Sequence, residues 1–205
     1  YFSYGFFDLL LEKLRSLGFL IVKIDYVGSF GYGRKFAEEL KNNIGKRDVE
    51  SVIKVINYLK NNYKINYVYL IGNSYGGYLS LKTIYEYPVE ISGAISINGV
   101  TDWWTLIKNN KNSIFKIHFN GYPTKSNLEL YDQASIFIQK ENLKNKKILL
   151  IYGKNDKTIP TSQNDLFIKA YNTIAKIENL ELDEGHILEK KESFDKVYKK
   201  IIDFV

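Results

Sequence analysis

Tyr67-Val68-Tyr69-Leu70-Ile71-Gly72-Asn73-Ser74-Tyr75-Gly76-Gly77 runs from an apolar stretch of strand length, through a glycine-rich turn, into a helical pattern that continues to Tyr87. A strand, a Gly-x-Ser-x-Gly turn and a helix in that order make a nucleophile elbow. Small residues two before and two after Ser74 are expected, because the chain turns so sharply that side chains there would collide. The turn pushes Ser74 out above the end of a sheet. A helix beginning at Tyr75 aims free backbone N–H groups at the same place, where negative charge developing on a bound oxygen is stabilised. These residues point to hydrolytic chemistry.

Working outward from the elbow, apolar runs at 19–25, 67–72, 91–97, 147–152 and 176–182 alternate with helical patterns at 6–17, 35–42, 48–61, 75–87, 162–174 and 193–204. The alternation predicts an α/β fold, a mainly parallel sheet flanked by helices. The helix at 48–61 has Asp48 as a candidate cap, and Val49, Val52, Ile53, Ile56 and Leu59 recur on one of its faces. Between 102 and 146 the pattern dissolves into mixed aromatic and polar sequence around the turn Asn120-Gly121-Tyr122-Pro123. That stretch is read as an excursion over the site face. No repeat or linker divides residues 1–205, which are read as one domain.

Composition narrows the classes. The chain has 205 residues, enough to bury a real core, and a net charge of +6. Its lysines are scattered among Asn, Tyr and Ile rather than massed, which reads as a solvated surface and not as a nucleic-acid interface. Without cysteine there are no disulfides, thiolate metal ligands or cysteine nucleophile in these residues. The motifs call for no cofactor and no metal. The longest apolar runs fall far short of the roughly 20 residues of a spanning helix, so no membrane segment is expected. With no methionine at all, even an initiator, the chain is expected to be part of a longer one.

A serine hydroxyl needs a base, and the base needs a carboxylate to hold its tautomer. Of the two histidines, His186 follows the last apolar run in Asp183-Glu184-Gly185-His186, at the edge where an α/β sheet keeps its site. His118 lies mid-excursion among Phe115, Ile117 and Phe119 and is read as packing or surface. The acid that fits best is Asp156, in Tyr152-Gly153-Lys154-Asn155-Asp156 just past the run 147–152, although a turn aspartate making an Asx bond has the same local look. Asp102, Asp132 and Asp165 are weaker rivals, none of which directly ends a strand in the expected place.

With these residues placed, the chain resembles the catalytic domain of the prolyl oligopeptidase family of serine peptidases, in particular its acylaminoacyl-peptidase-like branch. The likeness runs the whole length. It is carried by Asp25-Tyr26-Val27-Gly28-Ser29-Phe30-Gly31-Tyr32-Gly33, the elbow Gly72 to Gly77, Gly121-Tyr122-Pro123, the stretch from Tyr131 to Ser135, Tyr152-Gly153 with Asp156 and Ile159-Pro160, and Gly185-His186. Val27 stands where the family usually has arginine, so loop packing near Gly28 is expected to differ.

The resemblance implies an α/β-hydrolase fold and a peptidase without cofactor. In that reading Ser74 is the nucleophile, His186 the base and then acid, and Asp156 the residue that orients it. The Tyr75 N–H would be an oxyanion donor, and Trp103, Trp104 and Ile159 would line the substrate pocket, though aromatic core is an equally ordinary use of such residues. Short peptides, N-acylated or proline-containing, would be the substrates in a cytoplasmic setting, with an upstream propeller domain and a homo-oligomer as conceivable partners. A carboxylesterase or lipase-type hydrolase is the alternative, since the same triad cleaves esters.

The family's His-Gly-Gly-Pro turn and the strand before it should lie just upstream of Phe6 and are absent. In this fold that strand sits between the runs at 19–25 and 67–72. The resemblance therefore implies that N-terminal strands are missing, leaving a gap about 5 Å wider than normal strand spacing and a chain unstable alone.

Overall fold

The computed structural model describes residues 2–110 and 113–205. Its sheet has four parallel strands in the order β1 (Tyr69–Asn73), β2 (Gly93–Ile97), β3 (Lys147–Gly153) and β4 (Lys176–Leu182). Chain order and sheet order coincide, so each crossover passes over a face and every strand ends at the same edge.

Strand alternation divides the core. Ala94, Ile148 and Leu150 point to one face, where they meet α3 (Arg47–Asn62), α4 (Tyr75–Glu86) and α7 (Ser162–Tyr171) through Val52, Ile56, Leu81, Ile84 and Phe167. Ile95, Ile97, Leu149 and Ile151 point to the other, against α1 (Phe2–Ser16) and α8 (Lys191–Phe204) through Leu10, Leu14, Phe194, Val197 and Ile201. Both faces of β2 and β3 are covered, which is why these strands read as near-continuous apolar runs.

The excursion is more ordered than its sequence pattern suggests. It holds α5 (Trp103–Asn109), a 3-10 turn at Ile114–Phe119, α6 (Leu128–Ala134) and a second 3-10 turn at Lys140–Leu143. A third apolar cluster, including Trp103, Phe119, Tyr131 and Ile159, seats it on Tyr78 of α4. Asp102 caps α5, accepting from the N–H groups of Trp104 at 3.3 Å and Thr105 at 3.2 Å.

The expected strand at 19–25 does not form. Among the described residues this segment pairs with no strand, and β1 hydrogen-bonds only to β2. Ile21 nevertheless packs on the α1/α8 side and Ile24 on the α3/α4/α7 side, so the segment runs within the sheet layer. Leu20 is 62% exposed and Val22 42%. The residues have strand composition, but a strand exists only through a ladder, and no neighbour is present to complete one.

Candidate active site

The site is assembled at the carboxyl ends of the strands. Ser74 follows β1 directly with φ 54° and ψ −117°, a left-handed backbone that a non-glycine residue adopts only when its surroundings impose it. Its N–H donates to the Ile97 carbonyl at 2.8 Å, and its own carbonyl accepts from Gly77 at 3.0 Å and Tyr78 at 3.2 Å. The turn is thus clamped to the end of β2 and to the first turn of α4.

Crowding at the elbow is lopsided. A Cβ at Gly72 would lie 2.2 Å from the Gly76 carbonyl carbon, and one at Gly77 would lie 2.7 Å from Ser96 Oγ and 2.8 Å from Gly99 Cα. At Gly76 a Cβ would meet nothing within 4 Å. The expectation that a side chain two residues after Ser74 must collide is therefore corrected. The close packing falls on Gly72 and Gly77, because α4 presses its first turn back onto β1 and the β2 end.

His186 Nε2 lies 3.0 Å from Ser74 Oγ, and His186 Nδ1 lies 2.7 Å from Asp156 Oδ2. A carboxylate only accepts, so Nδ1 carries the proton and Nε2 is left free to accept from the serine. The other carboxylate oxygen, Oδ1, accepts from the N–H groups of Thr158 and Ile159, both at 2.8 Å. The Asp156 side chain is 1% exposed and that of His186 22%. The Asp156 carboxylate is buried and fully hydrogen-bonded, while the His186 ring keeps an open side toward solvent.

The loops carrying the pair are braced around it. Lys154 N–H reaches the Leu182 carbonyl and Asn155 N–H the Glu184 carbonyl, both at 2.9 Å. Glu184 Oε1 accepts from Lys190 N–H at 2.8 Å. Asp183 pairs with Lys154 at 3.1 Å and Lys190 at 3.2 Å, and hydrogen bonds from Lys154, Lys190 and Asn155 pull its carboxyl down to about 2. Asp132 and Asp165 sit within α6 and α7, and Asp102 is spent on its cap. His118 stands in the 3-10 turn, where burial and then Lys41 lower its pKa, and its Nδ1 finds no partner among the described residues.

Tyr75 is the hub of an aromatic group. Its ring stacks on Tyr26 at 5.4 Å and Phe115 at 6.1 Å and meets Trp103 at 5.8 Å. Trp103 and Ile159 are buried in the third cluster, whereas Trp104 is half-buried, edge-on to Tyr131 at 5.6 Å. Of the three residues expected to line a pocket, Trp103 reaches the elbow through Tyr75. Cavities of about 340 and 440 Å³ lie elsewhere, one beside Lys82 and Glu86 and one between α5 and α7.

Asp48 was expected to cap a helix beginning at its own position. The helix starts one residue earlier, and the fully buried Asp48 carboxylate accepts from the Tyr75 hydroxyl at 2.6 Å and Val49 N–H at 3.0 Å. Burial raises its pKa, with the Tyr75 hydrogen bond opposing. Asp48 thereby ties α3 to the residue that follows Ser74.

The sequence profile of the prolyl oligopeptidase family matches residues 6–205. The chain belongs to the prolyl oligopeptidase family. Among relatives of this family member, the human acylamino-acid-releasing enzyme is 24% identical over 171 residues, covering 78% of this chain and 23% of that enzyme. Mouse dipeptidyl peptidase 8 is 26% identical over 190 residues, covering 89% of this chain and 21% of that protein. A puromycin-hydrolyzing peptidase from Mycobacterium tuberculosis superimposes with a TM-score of 0.74 at 23% identity, over 87% of this chain and 28% of that one. The fold is the α/β-hydrolase fold. This family member spans less than a quarter of the length of those two curated relatives. Among its described residues no helix is long and apolar enough to cross a membrane, and no group of three or more His, Asp or Glu is placed to hold a metal ion.

Proposed function

We propose that residues 1–205 form the catalytic module of a serine peptidase that cleaves short peptides, N-acylated or proline-containing, through an acyl-enzyme on Ser74. The observation that carries this reading is the unbroken line from Asp156 Oδ2 through the His186 ring to Ser74 Oγ, with links of 2.7 and 3.0 Å. As Ser74 Oγ attacks the substrate carbonyl carbon, His186 Nε2 takes its proton. The imidazolium formed is stabilised by the buried Asp156 carboxylate, and it then protonates the leaving amine. Water repeats the sequence to release the acid.

The oxyanion of each tetrahedral intermediate is met by the Tyr75 N–H at the start of α4, one of the donors that a helix leaves without an internal acceptor. The family resemblance supports a second donor from sequence upstream of these residues. Trp103, Trp104 and Ile159 supply the apolar wall for the side chain before the scissile bond. An upstream propeller, a homo-oligomer and a cytoplasmic setting complete the reading, supported by the family resemblance alone.

A fluorophosphonate probe should label Ser74 in the wild type and leave Ser74→Ala unlabelled. A panel of N-acylated aminoacyl amides against simple aryl esters separates peptidase from carboxylesterase. Turnover confined to the esters would overturn the peptidase assignment.

A further inference from the structure

Asn98 follows β2 immediately, is 1% exposed and takes the left-handed backbone, with φ 47°. Its N–H extends the ladder by donating to the Ile151 carbonyl at 2.8 Å. Its side chain makes a bridge. Oδ1 accepts from Gly153 N–H at 2.9 Å, and Nδ2 donates to the His186 carbonyl at 2.8 Å, with the Gly185 carbonyl at 3.5 Å. The amide can face only one way, because a backbone N–H only donates and a carbonyl only accepts.

Gly153 is the last residue of β3, three before Asp156, and the other end of the bridge is the main chain of the base itself. The preceding residue, Ile97, accepts the Ser74 N–H at 2.8 Å. Two adjacent residues at the end of β2 thus hold the backbone at Ser74, at His186 and at Gly153, three residues before Asp156. The fit beneath them is tight, since a Cβ at Gly153 would lie 2.4 Å from the Gly185 carbonyl oxygen.

We propose that Asn98 is a positioning residue that sets the register of the Asp156 loop against the His186 loop, and so the reach of His186 Nε2 to Ser74. This deepens the reading above and rests on it. The residue type follows from the geometry. Asparagine tolerates the left-handed backbone, glycine would keep the backbone and lose the bridge, and aspartate would keep the acceptor but set an oxygen against the His186 carbonyl.

Asn98→Gly tests it in the full chain, in both the wild-type and the Asp156→Asn backgrounds. In the wild-type background kcat should fall about 10- to 100-fold, the scale of an ångström misplacement, with KM within about twofold. With Asp156→Asn already present, the further loss should be no more than about threefold, because both changes act through one pair. The His186 Nδ1 proton resonance should also be displaced in Asn98→Gly. Unchanged kcat with an unchanged resonance, or equal losses in the two backgrounds, would overturn the proposal. Were Asn98→Gly to unfold, Asn98→Asp gives the same comparison. A wild-type chain without hydrolytic activity would sink the functional reading, and the resonance alone would then decide this inference.

Discussion

The two ends of the sheet are built differently. On the side of β2, β3 and β4 the strand ends run into loops hydrogen-bonded to one another, with β2 and β3 buried on both faces. On the side of β1 the edge is unpaired, and the extended segment 19–25 carries exposed Leu20 and Val22 within the same layer. On the finished side Asp156 and His186 stand on loops past β3 and β4, whereas Ser74 directly follows β1 and is tied to β2 through the Ile97 carbonyl. The open side, that of β1, contributes Ser74, one end of the hydrogen-bonded line, while Leu10 and Leu14 of α1 pack into the cluster beneath the sheet. The hydrogen-bonded line therefore crosses from the loops past β3 and β4 to the end of the strand whose outer edge is unpaired.

The largest effect should come from removing the proposed nucleophile: Ser74→Ala is expected to lower kcat on an acylated aminoacyl amide by about 10⁶-fold. Asp156→Asn should cost about 10⁴-fold, by leaving the imidazole in the wrong tautomer, with little change in KM. Rates near wild type in either variant would mean that the line joining the two sides is not the working one. In stability, Leu149→Ala on the finished side should cost about 2–5 kcal/mol, since Leu149 is wholly buried. Leu20→Ser on the open side should cost less than about 0.5 kcal/mol. Urea titrations giving equal losses would show that the open side is covered and would break the contrast. Within the elbow, Gly72→Ala should cost about 1–3 kcal/mol by overpacking, whereas Gly76→Ala should leave the melting temperature unchanged or raised.

The smallest effect belongs to Asp183. Its folded pKa is depressed to about 2, so the stability it lends is present above the ordinary carboxylate value, about 3.9, and is lost as pH falls through about 2. Melting temperatures of wild type and Asp183→Asn should differ slightly at pH 6, converge between pH 4 and 2, and lie closer together in high salt. A difference that grows in acid would reverse the sign and remove the Lys154–Asp183–Lys190 brace from the account.

Much of this arrangement is legible in the residues, for identifiable reasons. Ser74, Asp156 and His186 stand out because each directly follows an apolar run, and a parallel sheet brings the ends of such runs to one edge. The strand at 147–153 reads clearly because Ile148 to Tyr152 form a continuous apolar run closed by Gly153, and that at 176–182 is marked by Ile177, Leu180 and Leu182. The segment 19–25 has a similar apolar character, yet pairing is a property of two segments, and among the described residues no strand pairs with it. The helices α5 and α6 escape periodicity because each has only 7 residues, too few to establish a face. Asp48 reads as a cap because its real partner, the Tyr75 hydroxyl, is 27 residues away on another helix. Asn98 shows only a turn signal in Asn98-Gly99, since its partners are main-chain groups 55 and 88 residues distant.

Ser74 and His186 are 112 residues apart in the chain, and their hydrogen bond closes a loop containing most of the sheet. Contacts of such separation carry the loop-closure entropy of everything between them and form late, after local helices and neighbouring strand pairs. The proposed hydrolysis through Ser74 is therefore expected to report on the last stage of folding. A refolding chain regains its helical signal before it regains a serine that can react.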